Sequence, residues 1–332
     1  MTSLEDCPPI KKADNDANSS RNTKGAVTQH AITPPSSRPN PYCFPERQLF
    51  TGLIYNGVAV KHHPVSVDPI THTKNIRSLQ MRSDDLIITA FPKCGTHWVS
   101  EMLHMMVRGT TDYATQPKEF NMLEFIEDLT VLDQMTSPRF FNSHLYIAHL
   151  PEQVVEKKVK LVHLIRNPKD CAVSFYYHVK HHASEKFTFD NFVKGYTAED
   201  YLALSHQFNY LRQMSQFEKA HPDHPIIHIH YEDLKKDPVP ILQGLSEFVG
   251  IQISRKFCDD VASACGFEHL KQADVARELP KNVTTCFSEV NIYRKGMVGD
   301  WKNTFTVAQN EMFDQFMAKQ EEKGLSYNFR WQ

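Results

Sequence analysis

Three short apolar runs constrain this chain more than any other feature. Each closes on a polar turn, and the first two open into a stretch of helical period. Asp85–Phe91 is followed by a tight turn and a helical stretch over 96–107. Val159–Ile165 is followed by Arg166, Asn167, Pro168, Lys169 and Asp170, then by a helix reaching Tyr177. Pro225–Tyr231 runs into the acidic turn Glu232–Asp233. Continuous apolar runs of this length read as strands buried on both faces, and strands separated by helices predict βαβ units. The expected fold is a single α/β domain, a central parallel sheet flanked by helices. Ligands on such sheets bind beyond the carboxyl ends of the strands. The chemistry is therefore sought at these three strand ends.

Residues 1–45 have a different character. They are rich in Ser, Thr, Asn and Pro and show neither helical nor strand period, so they cannot bury enough apolar surface to offset the entropy of ordering. The expectation is a disordered N-terminal tail at 1–45 and one catalytic domain at 46–332. Lys plus Arg number 37 and Asp plus Glu 39, a net charge of −2, which argues against a nucleic-acid partner. No apolar run approaches the roughly 20 residues that span a bilayer, which argues against a membrane protein. The N-terminus lacks the apolar core of a signal peptide. The 7 cysteines form no C-x-x-C pair. Together these features predict a reducing, cytoplasmic setting with free thiols, and make the sequon at Asn282 a chance match.

Glycine is scarce, 12 in 332 residues, so glycines grouped with cations stand out. At the first strand end, Lys93, Cys94, Gly95, Thr96, His97 and Trp98 join a strand to a helix start. The outward amides and dipole of a helix N-terminus suit an anion, and Gly95 permits close backbone approach. Lys93 adds a point charge, and Thr96 is suited to cap the helix or bind an oxygen. The logic is that of a phosphate-binding loop, but the Walker pattern G-x-x-x-x-G-K-[ST] is absent. A plain strand-to-helix turn with a surface lysine is the bland alternative. At the second strand end Asn167 suits the N-cap and Pro168 the first helical position. Arg166 and Ser174 then offer a guanidinium fork and a hydroxyl, a pair suited to a phosphate monoester. An Arg paired with a neighbouring carboxylate is the bland alternative. Near the C-terminus, Arg294, Lys295 and Gly296 with Gly299 read as a loop wrapping an anion, or as a solvated basic turn.

In this order the three segments resemble the cytosolic sulfotransferase family. The segment from Phe91 to Trp98 matches its 5′-phosphosulfate loop, and Arg166 to Ser174 its 3′-phosphate segment. Arg294 to Thr306 matches the signature R-K-G-x-x-G-D-W-K-N-x-F-T throughout. The resemblance implies the donor 3′-phosphoadenosine-5′-phosphosulfate (PAPS), released as adenosine 3′,5′-bisphosphate, and no metal. It places Lys93, Cys94, Gly95, Thr96, His97 and Trp98 at the phosphosulfate, and Arg166, Ser174, Arg294, Lys295 and Gly296 at the 3′-phosphate. Tyr231, Phe267 and Trp98 fall at the adenine. It also implies a small hydroxyl-bearing acceptor, a phenol or steroid, and a homodimer through Lys302–Glu311.

Ser137–Leu145 resembles the family's S-P-R-x-x-K-T-H-L segment, so His144 takes the place of the catalytic base. An imidazole, titrating near ambient pH, suits removal of the acceptor's proton as oxygen attacks sulfur. His149 falls outside the motif. One departure bears on rate: Asn142 stands where the family has a lysine that neutralises the transferring sulfuryl group. Losing a charge-assisted hydrogen bond of about 1.5–3 kcal/mol would slow transfer roughly ten- to a hundredfold unless compensated. Cys94 and His97 replace the usual Ser and Thr, and each keeps its backbone amide. Asn142 motivates one alternative, a nucleotide-binding protein of this fold with weak or no transfer activity. A P-loop kinase is a second alternative, disfavoured by the missing Walker pattern. A third treats Cys94 as a redox switch whose thiol pKa is lowered by the helix N-terminus and Lys93. Aromatics at Phe120, Phe140, Phe141 and Tyr146 suggest an apolar acceptor lining. The cluster His221, His224, His228 and His230 lacks a metal-ligand spacing and reads as structural.

Overall fold

A computed structural model describes residues 50–55, 58–61, 67–116, 118–180, 187–198, 206–276, 293–325 and 327–331. The expected tail at 1–45, the sequon at Asn282, and His181 and His182 lie outside the described residues. A two-stranded antiparallel hairpin, β1 (Phe50–Tyr55) and β2 (Val58–Lys61), leads into helix α1 (Pro69–Arg77). Asp68 caps α1 and Pro69 opens it, the arrangement that suits a missing amide in the first turn.

The first apolar run forms β3 (Leu86–Ala90), every residue buried, followed by α2 (Thr96–Arg108). A strand not anticipated from the sequence, β4 (Phe140–Ser143), follows three 3-10 turns and carries the Ser-Pro-Arg segment onto the sheet. It is short and its residues include Asn and Ser, so its pattern is too weak to read as a strand. After the short helix α3 (Gln153–Glu156) come β5 (Lys160–Ile165) and α4 (Pro168–Lys180). Asn167 Oδ1 accepts from the amides of Lys169 and Asp170 at 3.0 and 3.3 Å, the cap that the sequence predicts. Helices α5 (Phe189–Tyr196) and α6 (Gln207–Ala220) precede β6 (Ile226–His230). The acidic turn after it is the first turn of α7 (Tyr231–Lys236), where negative charge suits the dipole. The chain continues through α8 (Pro238–Val249), α9 (Arg255–Ala264) and α10 (Phe267–Ala276), and α11 (Val307–Glu322) closes it.

The sheet is parallel throughout in the order β4-β3-β5-β6. One buried apolar cluster gathers α2, α4, α6 and α11 around Phe91, Phe192 and Phe313, and a second gathers Ile76, Leu123, Phe141 and Leu161. Phe141 and Tyr146 belong to these cores and are buried, whereas Phe120 and Phe140 remain half-buried. Only the latter two suit the expected acceptor lining. Asp85 and Arg139, one residue before β3 and β4, form a two-pronged buried pair at 2.8 and 2.5 Å. That pair fixes the register in which both strands end, and so where the residues after them stand. No helix among the described residues is long and apolar enough to cross a membrane.

Candidate active site

The carboxyl ends of β3, β4, β5 and β6 bring the sequence-selected residues together. After β3, Lys93 adopts φ 72° and Gly95 φ 103° before the chain enters α2. Gly95, not Thr96, is the N-cap of α2, with no side-chain cap; Thr96 is the first helical residue and is buried. The correction has a steric reason. A left-handed turn at the cap favours glycine, and a Cβ on Gly95 would come within 2.9 Å of the Tyr231 ring. Arg166, after β5, donates to the Lys93 carbonyl at 2.8 Å and lies over the Tyr231 ring at 4.2 Å. The guanidinium thus holds the unusual backbone of Lys93, while its buried Nε has no hydrogen-bond partner among the described residues. Glu232 accepts from the Asn167 amide at 2.8 Å and ties the end of β6 to that of β5.

Electrostatics follow from this crowding. Burial, then the charges of Arg166 and Lys118, lower the Lys93 pKa to about 7. Burial and the same kind of cationic surroundings, led by Lys118 and Lys93, hold His97 well below its usual pKa, so it is neutral. Its Nε2 faces Glu119 Oε1 at 3.3 Å. Cys94 points into the core with its sulfur 3.9 Å from that of Cys171, and burial pushes its thiol pKa up. The activated thiol expected from the helix N-terminus is therefore corrected: desolvation outweighs the dipole, and Cys94 offers the site its backbone.

His144 directly follows β4. Its Nδ1 is 2.8 Å from the carbonyl of Ala90, the last residue of β3, and its amide donates to Glu124 at 2.5 Å. A carbonyl only accepts, so Nδ1 carries the proton and the basic lone pair lies on Nε2. The base candidate and the Lys93 loop thus share one strand end. His149 is buried in a 3-10 turn. Asn142 is buried, donates to Ser100 Oγ at 3.2 Å, and brings no charge.

The remaining residues build an aromatic and cationic wall. Trp98 meets Tyr231 edge-on at 5.6 Å, and the Lys235 ammonium stands 5.6 Å from the Trp98 ring and 5.9 Å from that of Phe267. The indole N–H of Trp98 is buried with no hydrogen-bond partner among the described residues. Gly296 packs so closely that an added Cβ would fall 2.2 Å from Phe267. A groove of about 690 Å³ runs along Lys235, Phe267, Lys295 and Gly296. It lies on the aromatic side of the site rather than over Lys93 and His144. Arg294 and Lys295 do not stand free: both pair with Asp300, at 2.5 and 2.8 Å. Asp170, on α4, accepts from the amides of Gly299 and Trp301 at 2.6 and 3.0 Å, stapling this loop to the helix that bears Ser174. Ser174 is half-buried on α4 and is not hydrogen-bonded to Arg166.

Sequence reasoning gave no role to Glu119, Glu124, Asp170, Lys118 or Asp300; Glu119, Glu124 and Asp170 act on partners distant in sequence, Lys118 and Asp300 on near neighbours. It weighed His228 only with His221, His224 and His230, whereas among the described residues His228 forms a metal-capable group with His163 and Glu218. His163 and His228 are cross-strand partners on β5 and β6, with Nδ1 atoms 3.0 Å apart, and His228 Nε2 lies 3.5 Å from Glu218. His163 Nε2 is buried with no hydrogen-bond partner among the described residues.

Comparison with known proteins bears on family and fold. Residues 83–324 match the family model described as the sulfotransferase domain. Sulfotransferase 1A1 of Canis lupus familiaris is 33% identical over 271 residues, covering 78% of this chain and 90% of its own. Sulfotransferase 1E1 of Cavia porcellus is 33% identical over 276 residues, covering 79% and 90%. Among solved structures, mouse sulfotransferase SULT7A1 complexed with PAP superposes with a TM-score of 0.64 at 24% identity, covering 80% and 92%. Retinol dehydratase in complex with androsterone and PAP gives 0.64 at 17%, covering 82% and 89%. These two show a shared fold. With the family model matched over most of its length and such relatives alongside, the chain belongs to the sulfotransferase family of enzymes.

Proposed function

We propose that the chain transfers a sulfuryl group from PAPS to the hydroxyl of a small acceptor, a phenol, steroid or other alcohol. The observation that carries this reading is the 2.8 Å contact of His144 Nδ1 with Ala90 O, which orients the imidazole beside the Lys93 loop. The residues present fit a nucleotide with phosphate at both ends. Trp98 Nε1 and Arg166 Nε are buried donors awaiting acceptors, and Gly95 and Gly296 leave the backbone bare beside Tyr231 and Phe267. PAP in the two structural neighbours, read as adenosine 3′,5′-bisphosphate, is the nucleotide such a donor leaves behind.

In this mechanism His144 Nε2 takes the acceptor's hydroxyl proton as the acceptor oxygen bonds to sulfur. The bond from sulfur to the 5′-phosphate oxygen breaks and its electron pair stays on that oxygen. Lys93 and the amides of 94–96 stabilise the developing charge. Arg166 keeps Lys93 in its strained turn, and Trp98, Tyr231 and Phe267 flank the base. Ser174, Arg294 and Lys295 meet the 3′-phosphate, the latter two by sharing their charge with Asp300. Protein cations neutralise the donor, so the proposal requires no metal. The proposal includes a cytoplasmic location, the tail at 1–45 and the domain at 46–332. It also includes a homodimer through Lys302–Glu311, where Val307 is 76% exposed and Glu311 faces solvent.

The test is transfer of labelled sulfate from PAPS across a phenol and steroid panel, with wild type and His144→Ala. Loss of transfer by roughly 10²–10⁴ with adenosine 3′,5′-bisphosphate binding intact is expected. A wild type that binds the nucleotide yet shows no transfer dependent on His144 would favour the alternative of a nucleotide-binding protein.

A further inference from the structure

The site carries a lysine that neither the motifs nor the resemblance accounts for. Lys118 opens the 3-10 turn Lys118–Asn121 and is buried. Its ammonium contacts the Met122 sulfur at 3.6 Å, its only hydrogen-bond partner among the described residues. Met122 forms a lone parallel bridge with Asn142, so the turn is strapped alongside β4 two residues before His144. Its flanks reach the same place: Glu119 touches His97, and Glu124 takes the His144 amide. Carboxylates of Glu119, Glu124 and Asp274 act on the ammonium, and Lys118 in turn acts on the Lys93 ammonium and the neutral His97 ring. Burial draws its proton affinity down, and the three carboxylates oppose that loss.

We propose that Lys118 is a catalytic residue: the cation that faces the transferring sulfuryl oxygens in this chain, in place of the charge that Asn142 lacks. Asn142 is too short and too committed to Ser100 to do so. A lysine whose ammonium rests on Met122, the residue bridged to Asn142, brings a charge alongside β4 from the neighbouring strap. An ammonium has three donors, and a thioether is a weak acceptor that leaves donors for sulfuryl oxygens. Lys118 forms no bond in the reaction; it balances charge while the acceptor's oxygen–sulfur bond forms and the bond to phosphate breaks.

The proposal rests on the function above, and the test separates the two. Lys118→Met, Lys118→Arg and Lys118→Met with Asn142→Lys are compared with wild type at pH 6.5, where Lys93 is largely protonated. Turnover with PAPS and the affinities for PAPS and for adenosine 3′,5′-bisphosphate are measured. Lys118→Met is expected to lower kcat about ten- to a hundredfold, the range for one charge-assisted hydrogen bond. Its preference for PAPS over the bisphosphate should also fall, with bisphosphate affinity within threefold of wild type. Arginine, or lysine restored at 142, should recover most of kcat. The assignment is overturned by a Lys118→Met kcat within threefold of wild type, or by bisphosphate affinity falling as far as kcat. It is also overturned if neither restored charge recovers any rate. A wild type that turns over normally under those outcomes leaves the function standing; a wild type that binds neither nucleotide refutes both.

Discussion

Lys93 makes donor binding sensitive to pH in a direction that can be worked out. Among the protein's own groups its pKa is about 7, because burial and the neighbouring Arg166 and Lys118 disfavour its charge. A bound phosphosulfate or 5′-phosphate reverses that imbalance and raises the pKa. Binding then takes up a proton whenever the free protein has lost it, so affinity is full below pH 7 and falls as pH rises through it. With a midpoint of 7 and a bound state protonated throughout, the dissociation constant for adenosine 3′,5′-bisphosphate should rise about 25-fold between pH 6.5 and 8.5. Above 7 the slope approaches tenfold per pH unit. Ionisation of the ligand's own phosphate, near pH 6, acts in the opposite sense and is nearly complete by 7. His97 stays neutral across the range and adds no slope. Calorimetry in buffers of differing ionisation enthalpy should record uptake of roughly 0.9 proton at pH 8. Lys93 is partly exposed, so added salt should screen its neighbours and move the break upward. Lys93→Met should flatten most of the slope, and Lys118→Met should move the break to higher pH by removing one repelling charge. An affinity constant within threefold over this range in the wild type would refute the reasoning.

Two further predictions concern the scaffold. Arg139→Met leaves Asp85 buried and uncompensated and should cost roughly 3–5 kcal/mol, read by denaturant unfolding; Asp85→Leu with Arg139→Met should recover much of it. Gly296→Ala forces a side chain into φ 61° and against Phe267, so nucleotide affinity should fall at least about tenfold, for strain of roughly 1–2 kcal/mol from the backbone alone.

Much of the site was legible in the chain because helix starts and phosphate loops are local. Lys93, Gly95, Arg166 and Asn167 lie within a few residues of the strand ends that aim them, and apolar runs reveal those ends. Gly95 and Gly296 were legible as scarce residues beside cations, although the partners that demand glycine, Tyr231 and Phe267, lie far away in sequence. The strand β4 was not legible, since four residues ending in Asn and Ser carry too little pattern. Nor were the roles of Asp170, which staples a loop over a hundred residues distant to α4, and of Asp300, which pairs with Arg294 and Lys295 within that loop.

Sequence by itself determined the fold class, the family, and which residue types meet at the strand ends, because each is written in short local patterns. Tertiary structure alone decided the states of those residues. It placed the proton of His144 on Nδ1 through a carbonyl of another strand, turned Cys94 into the core, and left His97 neutral. It also lowered the proton affinity of Lys93 and brought Met122, on which the Lys118 ammonium rests, beside Asn142. Burial and the sum of surrounding charges set a side chain's chemistry, and both depend on neighbours that only the folded chain supplies.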